Sequence, residues 1–207
     1  MKTTSVAARR RMFLEMAGRR AQPGTGSARI FLEARTAMTR WPDLTPILTG
    51  IPWAVVGAVA TRAYMPERTT QDLDILVHAS DQEEVRVRLQ RAGFLQVQAL
   101  AIGGMTWRSP SGALVDVIES RAAWVPEALQ SLKQDRQGLP VFDLPYLVLM
   151  KVEAGRAQDL ADAARMLGAA SEDRCQETRE LFGRSLPDAL DDLESLIALG
   201  RLEMGSG

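Results

Sequence analysis

The stretch that decides the fold is RTTQDLDILVH, residues Arg68–His78. Its second half is apolar and mostly branched, which is typical of a β-strand. Two carboxylates, Asp72 and Asp74, interrupt the run one residue apart. Side chains at i and i+2 of a strand share a face, so both acids point the same way. Like charges held this close repel each other, which indicates that the pair does something other than pack.

A third acid lies inside a later apolar run, ALVDVIES, where Asp116 is flanked by valines and an isoleucine. These neighbours predict a buried or half-buried strand, and a charge there must be paired or bound to a cation. We expect the carboxylates of Asp72, Asp74 and Asp116 to converge and form an oxygen-ligand cage suited to Mg²⁺. Two Mg²⁺ ions held this way can activate an attacking hydroxyl and stabilise a leaving pyrophosphate.

Upstream of the acidic strand, WAVVG predicts a short strand that ends at Gly57, and AVATRAY follows with helix-forming content. The N-terminus of a helix offers free N–H groups and a positive dipole end, which suit a phosphate. A glycine at that junction lets a phosphate approach the backbone closely. The segment therefore predicts a phosphate seat at Gly57.

The rest of the chain predicts an α/β (α+β) fold, in which helices flank a small mixed sheet. Helices are expected over residues 3–20 and 28–40, and another is expected to begin with a capping box at Ser80 and Glu83. No strand is expected after Glu119, and the remainder is expected to be helical. The expected organisation is a basic helical N-terminal extension at 1–45, an α/β core at 46–142 and a helical C-terminal region at 143–204.

Composition excludes several classes of protein. The 207 residues suit one domain, with or without a helical appendage. With only Cys175 and His78, the chain has no internal disulfide, no Cys/His zinc cluster and no histidine triad. This cysteine usage fits a reducing, cytoplasmic compartment. No apolar run approaches the roughly 20 residues of a membrane span, so no membrane partner is expected.

Together, Gly57-Ala58, Asp72-Leu73-Asp74 and Asp116 resemble the nucleotidyltransferase-fold (polymerase-beta-like) superfamily. Downstream, LMKVEAGRAQDLADAARML is similar to a helix-pair pattern of its AbiEii-type and MenT-type toxins. The matching residues of that pattern are Lys151, Ala154, Arg156, Asp159 and Asp162. Arg68 and Thr70 match the start of the acidic strand in the same group. The resemblance covers about 51–167. It departs at Ala58, where the family usually has Ser or Gly, so only backbone N–H groups remain there for a triphosphate.

The resemblance implies a role for each matching residue. Asp72 and Asp74 would ligate the metals, and Asp116 would share one metal and help deprotonate the acceptor hydroxyl. The remaining matches would serve the nucleotide: Gly57 and Ala58 against the β,γ-phosphates, Lys151 against the triphosphate charge, and Asp159 near the nucleotide or orienting Lys151. Arg62 and Arg68 would bind phosphate or, alternatively, pair with Glu67.

The activity that the resemblance implies is transfer of a nucleoside monophosphate from an NTP to an acceptor hydroxyl, with Mg²⁺ as cofactor. The nearest look-alikes suggest a toxin of a toxin–antitoxin system that modifies RNA, such as the tRNA 3′ end, and has an antitoxin protein as partner. An N-terminal run of basic residues favours RNA: Lys2, Arg9, Arg10, Arg11, Arg19, Arg20 and Arg29. Three alternatives stay open: an antibiotic-type small-molecule acceptor, a non-catalytic nucleotide-binding or interaction module, and another α/β fold with incidental acids.

Overall fold

The computed structural model describes residues 5–24, 41–65, 70 and 72–204. These residues form two compact units. The helical unit takes its described residues from Met1–Ala34, Tyr64–Pro66 and Leu144–Gly207, and the sheet unit takes its own from Arg35–Ala63 and Glu67–Asp143. The helix expected over 28–40 lies outside the described residues, as do Arg68 and Glu67.

The sheet unit is built on one mixed sheet of seven strands in the order β3-β4-β5-β2-β1-β7-β6. The pairs β2·β5 and β1·β7 are parallel, and the other neighbours are antiparallel. The predicted α/β class with a mixed sheet flanked by helices is confirmed. The strands are β1 Trp53–Val55, β2 Asp72–His78, β3 Leu95–Ala99, β4 Gly104–Arg108, β5 Leu114–Ser120, β6 Leu132–Gln134 and β7 Pro140–Phe142.

The expectation of no strand after Glu119 is wrong, because β6 and β7 form an antiparallel hairpin. Asp135 fixes the turn between them, since its Oδ1 accepts hydrogen bonds from the backbone N–H groups of Gln137 at 2.8 Å and Leu139 at 2.9 Å. Each strand has only three residues, which is too short for alternation of apolar and polar side chains to reveal it.

The described part of the sheet unit contains three α-helices: α2 Gly57–Thr61, α3 Gln82–Arg91 and α4 Val125–Ala128. The predicted capping box is wrong, because α3 begins two residues after Ser80. Ser80 lies instead in a 3₁₀ turn, Ala79–Asp81, where its backbone N–H donates to His78 Nδ1 at 3.2 Å. Glu83 accepts a hydrogen bond from Arg86 Nε at 2.9 Å and caps nothing.

The helical unit contains α1 and the helices of the C-terminal region. Their bounds are α1 Val6–Arg20, α5 Leu144–Ala154, α6 Ala157–Gly168, α7 Glu172–Ser185 and α8 Leu190–Met204. The predicted basic N-terminal helix is confirmed. Arg10 of α1 is only 5% exposed, and its Nε donates to Asp192 Oδ2 of α8 at 2.7 Å. This ion pair links α1 to α8. No helix in the described part of the chain is long and apolar enough to cross a membrane.

Helices α6 and α8 cross at two glycines that allow their backbones to touch. An ideal Cβ on Gly168 would lie 2.2 Å from the carbonyl oxygen of Gly200. An ideal Cβ on Gly200 would lie 1.9 Å from the carbonyl oxygen of Ala164. Because a carbonyl of a packed helix cannot move aside as the end of a flexible side chain can, the crossing requires glycine at both positions.

We expect Gly200→Ala to lower the free energy of unfolding by about 3 kcal/mol, the upper end of the usual cost of overpacking. Chemical denaturation followed by circular dichroism measures the loss. Gly183→Ala in α7 is the matched control, since an added Cβ there meets nothing within 4 Å. That control should be neutral or stabilising by up to about 1 kcal/mol, because alanine is the better helix former. Equal stability of the two variants would contradict the close crossing.

Candidate active site

Three carboxylates share one face of the sheet. Strand β2 pairs in parallel with β5, and the register aligns Asp74 with Asp116 and Asp72 with Leu114. Aligned residues of neighbouring strands face the same side, and Asp72 is two residues from Asp74. The acids are half-buried, whereas their strand neighbours on the opposite face, such as Leu73 and Val115, are fully buried. The expected shared face is confirmed, and the side of the sheet that carries these acids is called the acid face below.

Gly57 lies directly against Asp74. The backbone N–H of Val56 donates to the Asp74 carbonyl at 2.8 Å, and Gly57 then opens α2 with φ +62°. An ideal Cβ on Gly57 would lie 1.8 Å from Asp74 Oδ2 and 2.8 Å from Asp74 Cβ. Two independent reasons therefore require glycine here: a backbone conformation that L side chains rarely adopt, and the space that the Asp74 carboxylate occupies.

This geometry refines what the sequence suggested for the strand–helix junction. The sequence assigned the small size of Gly57 to the close approach of a phosphate, whereas the group that closely approaches it in the structure is the carboxylate of Asp74. Ala58 follows in α2 and is 4% exposed. The glycine thus sets the position of one of the three acids, whatever else binds at this end of the helix.

Thr70 orders Asp72. Its hydroxyl donates a hydrogen bond to Asp72 Oδ1 at 2.7 Å. A hydrogen bond that ends on a charged carboxylate is stronger than one between neutral groups. The threonine that matched the family pattern in the sequence therefore holds a member of the acid face. Arg68, the other matching residue of that stretch, lies outside the described residues.

The donor set of the acid face suits a hard cation, because carboxylate oxygens are the ligands that Mg²⁺ prefers. In the described ranges 5–24, 41–65, 70 and 72–204, no three His, Cys, Asp or Glu side chains lie close enough together to hold a metal ion. Asp72, Asp74 and Asp116 therefore share a face through the sheet register, but their side chains are not close enough together to form a metal cage. Drawing three anions together without a cation would be repulsive.

Arg62 is engaged within the sheet unit. Its Nε donates to Asp135 Oδ2 at 2.6 Å, and its Nη2 contacts the same oxygen. The Arg62 side chain is 9% exposed and that of Asp135 is fully buried. Arg62 therefore connects the residue after α2 to the β6–β7 turn. The sequence had offered phosphate or Glu67 as its partner and gave no reason to expect Asp135.

Lys151, predicted as a phosphate-binding charge, belongs to a buried ionic cluster within the helical unit. Its Nζ donates to Asp162 Oδ2 at 2.9 Å and to Asp159 Oδ1 at 3.3 Å, and Lys151 is 4% exposed. Arg156 Nε donates to Asp159 Oδ2 at 2.5 Å, and Gln158 Nε2 donates to Asp162 Oδ1 at 3.2 Å. These contacts pair Lys151 and Arg156 with two carboxylates and join α5 to α6. The structure thus places Asp159 in direct contact with Lys151.

Sequence reasoning missed Thr106 in β4. The antiparallel register of β4 and β5 aligns Thr106 with Asp116, so the two side chains are neighbours on the acid face. No local sequence pattern predicts that Thr106 lies beside Asp116, because the two residues belong to different strands. The only signal was the apolar flank of Asp116, which indicated that its strand had neighbours on both sides.

Glu119 is the acidic residue of β5 that does not belong to the acid face. It lies three positions after Asp116 and aligns with Val77, so it faces the other side of the sheet. Burial raises the pKa of the Glu119 carboxyl, and the nearby Arg121 charge partly opposes this rise. The strand therefore carries an acid of the opposite orientation, which serves as an internal control for Asp116.

No protein-family model and no curated protein matches the chain. Among solved structures, it is similar to the antibiotic-resistance factor ANT(2″)-Ia, with 14% identity, coverage of 83% of this chain and 89% of that one, and a TM-score of 0.42. A CCA-adding enzyme with CTP shows 12% identity, coverage of 77% and 47%, and a TM-score of 0.36. CdnG of Bradyrhizobium diazoefficiens, with GTP, shows 10% identity, coverage of 96% and 90%, and a TM-score of 0.30.

Proposed function

We propose that this protein is a Mg²⁺-dependent nucleotidyltransferase, which transfers a nucleoside monophosphate from an NTP to an acceptor hydroxyl and releases pyrophosphate. The observation that carries the proposal is the register of β2 and β5, which aligns Asp74 with Asp116 and leaves Asp72 on the same face. The packing of Asp74 against Gly57 supports it, because the acids then lie next to the strand–helix junction that would receive the phosphates.

In the proposed reaction Asp116 acts as the general base and accepts the proton of the acceptor hydroxyl. The hydroxyl oxygen forms a bond to the α-phosphorus, and the bond from that phosphorus to the pyrophosphate oxygen breaks. Asp72 and Asp74, with Asp116, would hold Mg²⁺, which when bound supplies positive charge to the attacking and leaving oxygens. Thr70 and Gly57 fix Asp72 and Asp74 in place before substrate arrives.

The nucleotide side of the site is assigned by the resemblance. Backbone N–H groups at Gly57 and Ala58 would receive the β,γ-phosphates, and Arg68 would add a positive charge. Arg62, held by Asp135, would position α2 at the phosphates. Lys151 would face the triphosphate with its charge partly neutralised by Asp159, to which it donates a hydrogen bond.

For the acceptor we propose RNA, with the tRNA 3′ end as the first candidate, in the setting of a cytoplasmic toxin that an antitoxin protein restrains. Four exposed arginines of α1 support this, because they supply positive charge that attracts a polyanion: Arg9, Arg11, Arg19 and Arg20. Arg10 does not contribute, since it is buried against Asp192.

A second candidate is a non-catalytic nucleotide-binding module on the same scaffold. Ala58 favours it, because a buried methyl group stands where the family usually offers a hydroxyl or a glycine. The intact set of three acids favours the enzyme instead, since a binding module gains nothing from the repulsion between Asp74 and Asp116.

Incubation with each α-³²P-labelled NTP, Mg²⁺ and either total RNA or a panel of hydroxyl-bearing small molecules tests the proposal. We expect label on RNA with the wild type, and a loss of about a thousandfold with Asp74→Asn, since several kcal/mol of charge stabilisation would be removed. Glu119→Gln is the matched control and should transfer normally. Label on a small molecule alone would replace RNA as acceptor. NTP binding without transfer to any acceptor would reject the enzyme in favour of the binding module.

A further inference from the structure

Thr106 extends the row of polar side chains on the acid face by one strand. Strands β4, β5 and β2 are neighbours in the sheet, and their registers align Thr106 with Asp116 and Asp116 with Asp74. All three side chains therefore lie on the same side, one strand apart. The threonine stands beside Asp116, on the side away from Asp74.

The hydroxyl of Thr106 is buried without a partner. Thr106 is 4% exposed, and its Oγ1 makes no hydrogen bond to any residue that the structure describes. Other fully buried threonines of this chain are satisfied: Thr61 Oγ1 donates to the Ala58 carbonyl at 2.7 Å, and Thr178 Oγ1 donates to the Arg174 carbonyl at 2.8 Å. An unpartnered buried hydroxyl is destabilising, so its presence beside a carboxylate calls for an explanation.

The chemistry of the pair favours a hydrogen bond from Thr106 to Asp116. Directly opposite residues of an antiparallel pair have Cβ atoms about 4.5–5.5 Å apart, which brings a hydroxyl and a carboxylate within hydrogen-bond reach. An ionised carboxylate only accepts hydrogen bonds, whereas a threonine hydroxyl has one proton to donate. The structure does not contain this hydrogen bond, and we expect a change of the Thr106 χ1 angle between staggered positions to form it.

We propose that Thr106 is a positioning residue for Asp116. Its hydroxyl donates a hydrogen bond to one carboxylate oxygen of Asp116 and so leaves the other oxygen directed at the acceptor hydroxyl. This inference rests on the proposed function for its consequence in catalysis, but the contact itself does not. The threonine touches neither substrate nor the reacting atoms, and it acts through the orientation of the base.

The test compares Thr106→Val, which keeps the shape and removes the hydroxyl, with Thr106→Ser, which keeps the hydroxyl. The matched control is Thr178→Val, which removes a buried hydroxyl in the helical unit. The first readout is the ¹³C resonance of the Asp116 carboxylate in the free protein, assigned with Asp116→Asn. The second is the transfer rate with labelled NTP, resolved into kcat and the KM for NTP.

We expect Thr106→Val to move the Asp116 resonance and to lower kcat about tenfold with an unchanged KM for NTP, as is usual for the loss of an outer-shell partner. Thr106→Ser should restore both, and Thr178→Val should change neither. An unmoved resonance, or an equal loss of kcat in Thr106→Val and Thr178→Val, would overturn the inference. If the resonance moves while even the wild type transfers no label, the contact stands and the proposed function fails.

Discussion

Replacing Gly57 by alanine is expected to lower nucleotidyl transfer at least about a hundredfold, the usual effect of a displacement near 1 Å in a catalytic group. The Cβ of alanine would occupy the space of the Asp74 carboxylate, 1.8 Å from Oδ2, so the acid must leave its position beside Asp116. The backbone at φ +62° adds a further cost of about 1–2 kcal/mol. Transfer of labelled nucleotide and denaturation of the same preparation measure the two effects.

Gly50→Ala separates these two contributions. Gly50 belongs to the same unit and also has a positive φ, +79°, but an added Cβ there meets nothing within 4 Å. This variant should lose about 1 kcal/mol of stability and retain full transfer. If Gly57→Ala behaves in the same way as Gly50→Ala, the contact with Asp74 has no part in the activity.

Lys151→Met is expected to lower the free energy of unfolding by about 3–5 kcal/mol, the usual result of removing one partner of a buried ion pair. The substitution leaves Asp159 with Arg156 and removes the ammonium group that lies 2.9 Å from Asp162 Oδ2, in a place where that carboxylate is fully buried. Chemical denaturation of wild type and variant measures the loss. Lys133→Met is the matched control, since Lys133 is exposed in β6, and it should stay within about 0.5 kcal/mol of wild type.

A second substitution shows whether charge is the cause. Adding Asp162→Asn to Lys151→Met removes the buried negative charge that Lys151 contacted, and the double variant should recover a large part of the lost stability. No recovery would mean that packing of the lysine stem, rather than the ionic cluster, stabilises this region. The NTP affinity of the folded double variant then tests the phosphate role separately, because a loss of affinity without a loss of stability supports a direct role for Lys151.

The sequence predicted most reliably what depends on local pattern. The strands around Asp74 and Asp116 follow from runs of apolar, mostly branched residues, and the shared face of Asp72 and Asp74 follows from the period of a strand. The basic helix α1 was also within reach of local rules. The hairpin of β6 and β7 was not, because strands of three residues carry too little pattern.

Partners distant in sequence were beyond such rules. Arg62 pairs with Asp135 across 73 positions, and Arg10 pairs with Asp192 across 182. The sequence placed Arg10 in a basic run and offered phosphate or Glu67 as the partner of Arg62, so neither segment indicates the aspartate that its arginine contacts. The same limit concealed Thr106, whose importance comes from the strand next to it. What could not be predicted therefore depends on contacts between residues distant in sequence, rather than on weak helix or strand propensity.

The ion pair between Arg10 and Asp192 also has a consequence for the order of events during synthesis. The helical unit draws on both ends of the chain, whereas the whole sheet unit is translated in between. Domains fold as units while the chain emerges, so the sheet unit can complete its core before α8 exists. Until then α1 lacks the carboxylate that Arg10 requires. During synthesis the sheet unit can therefore fold while α1 is still without the ion pair to α8.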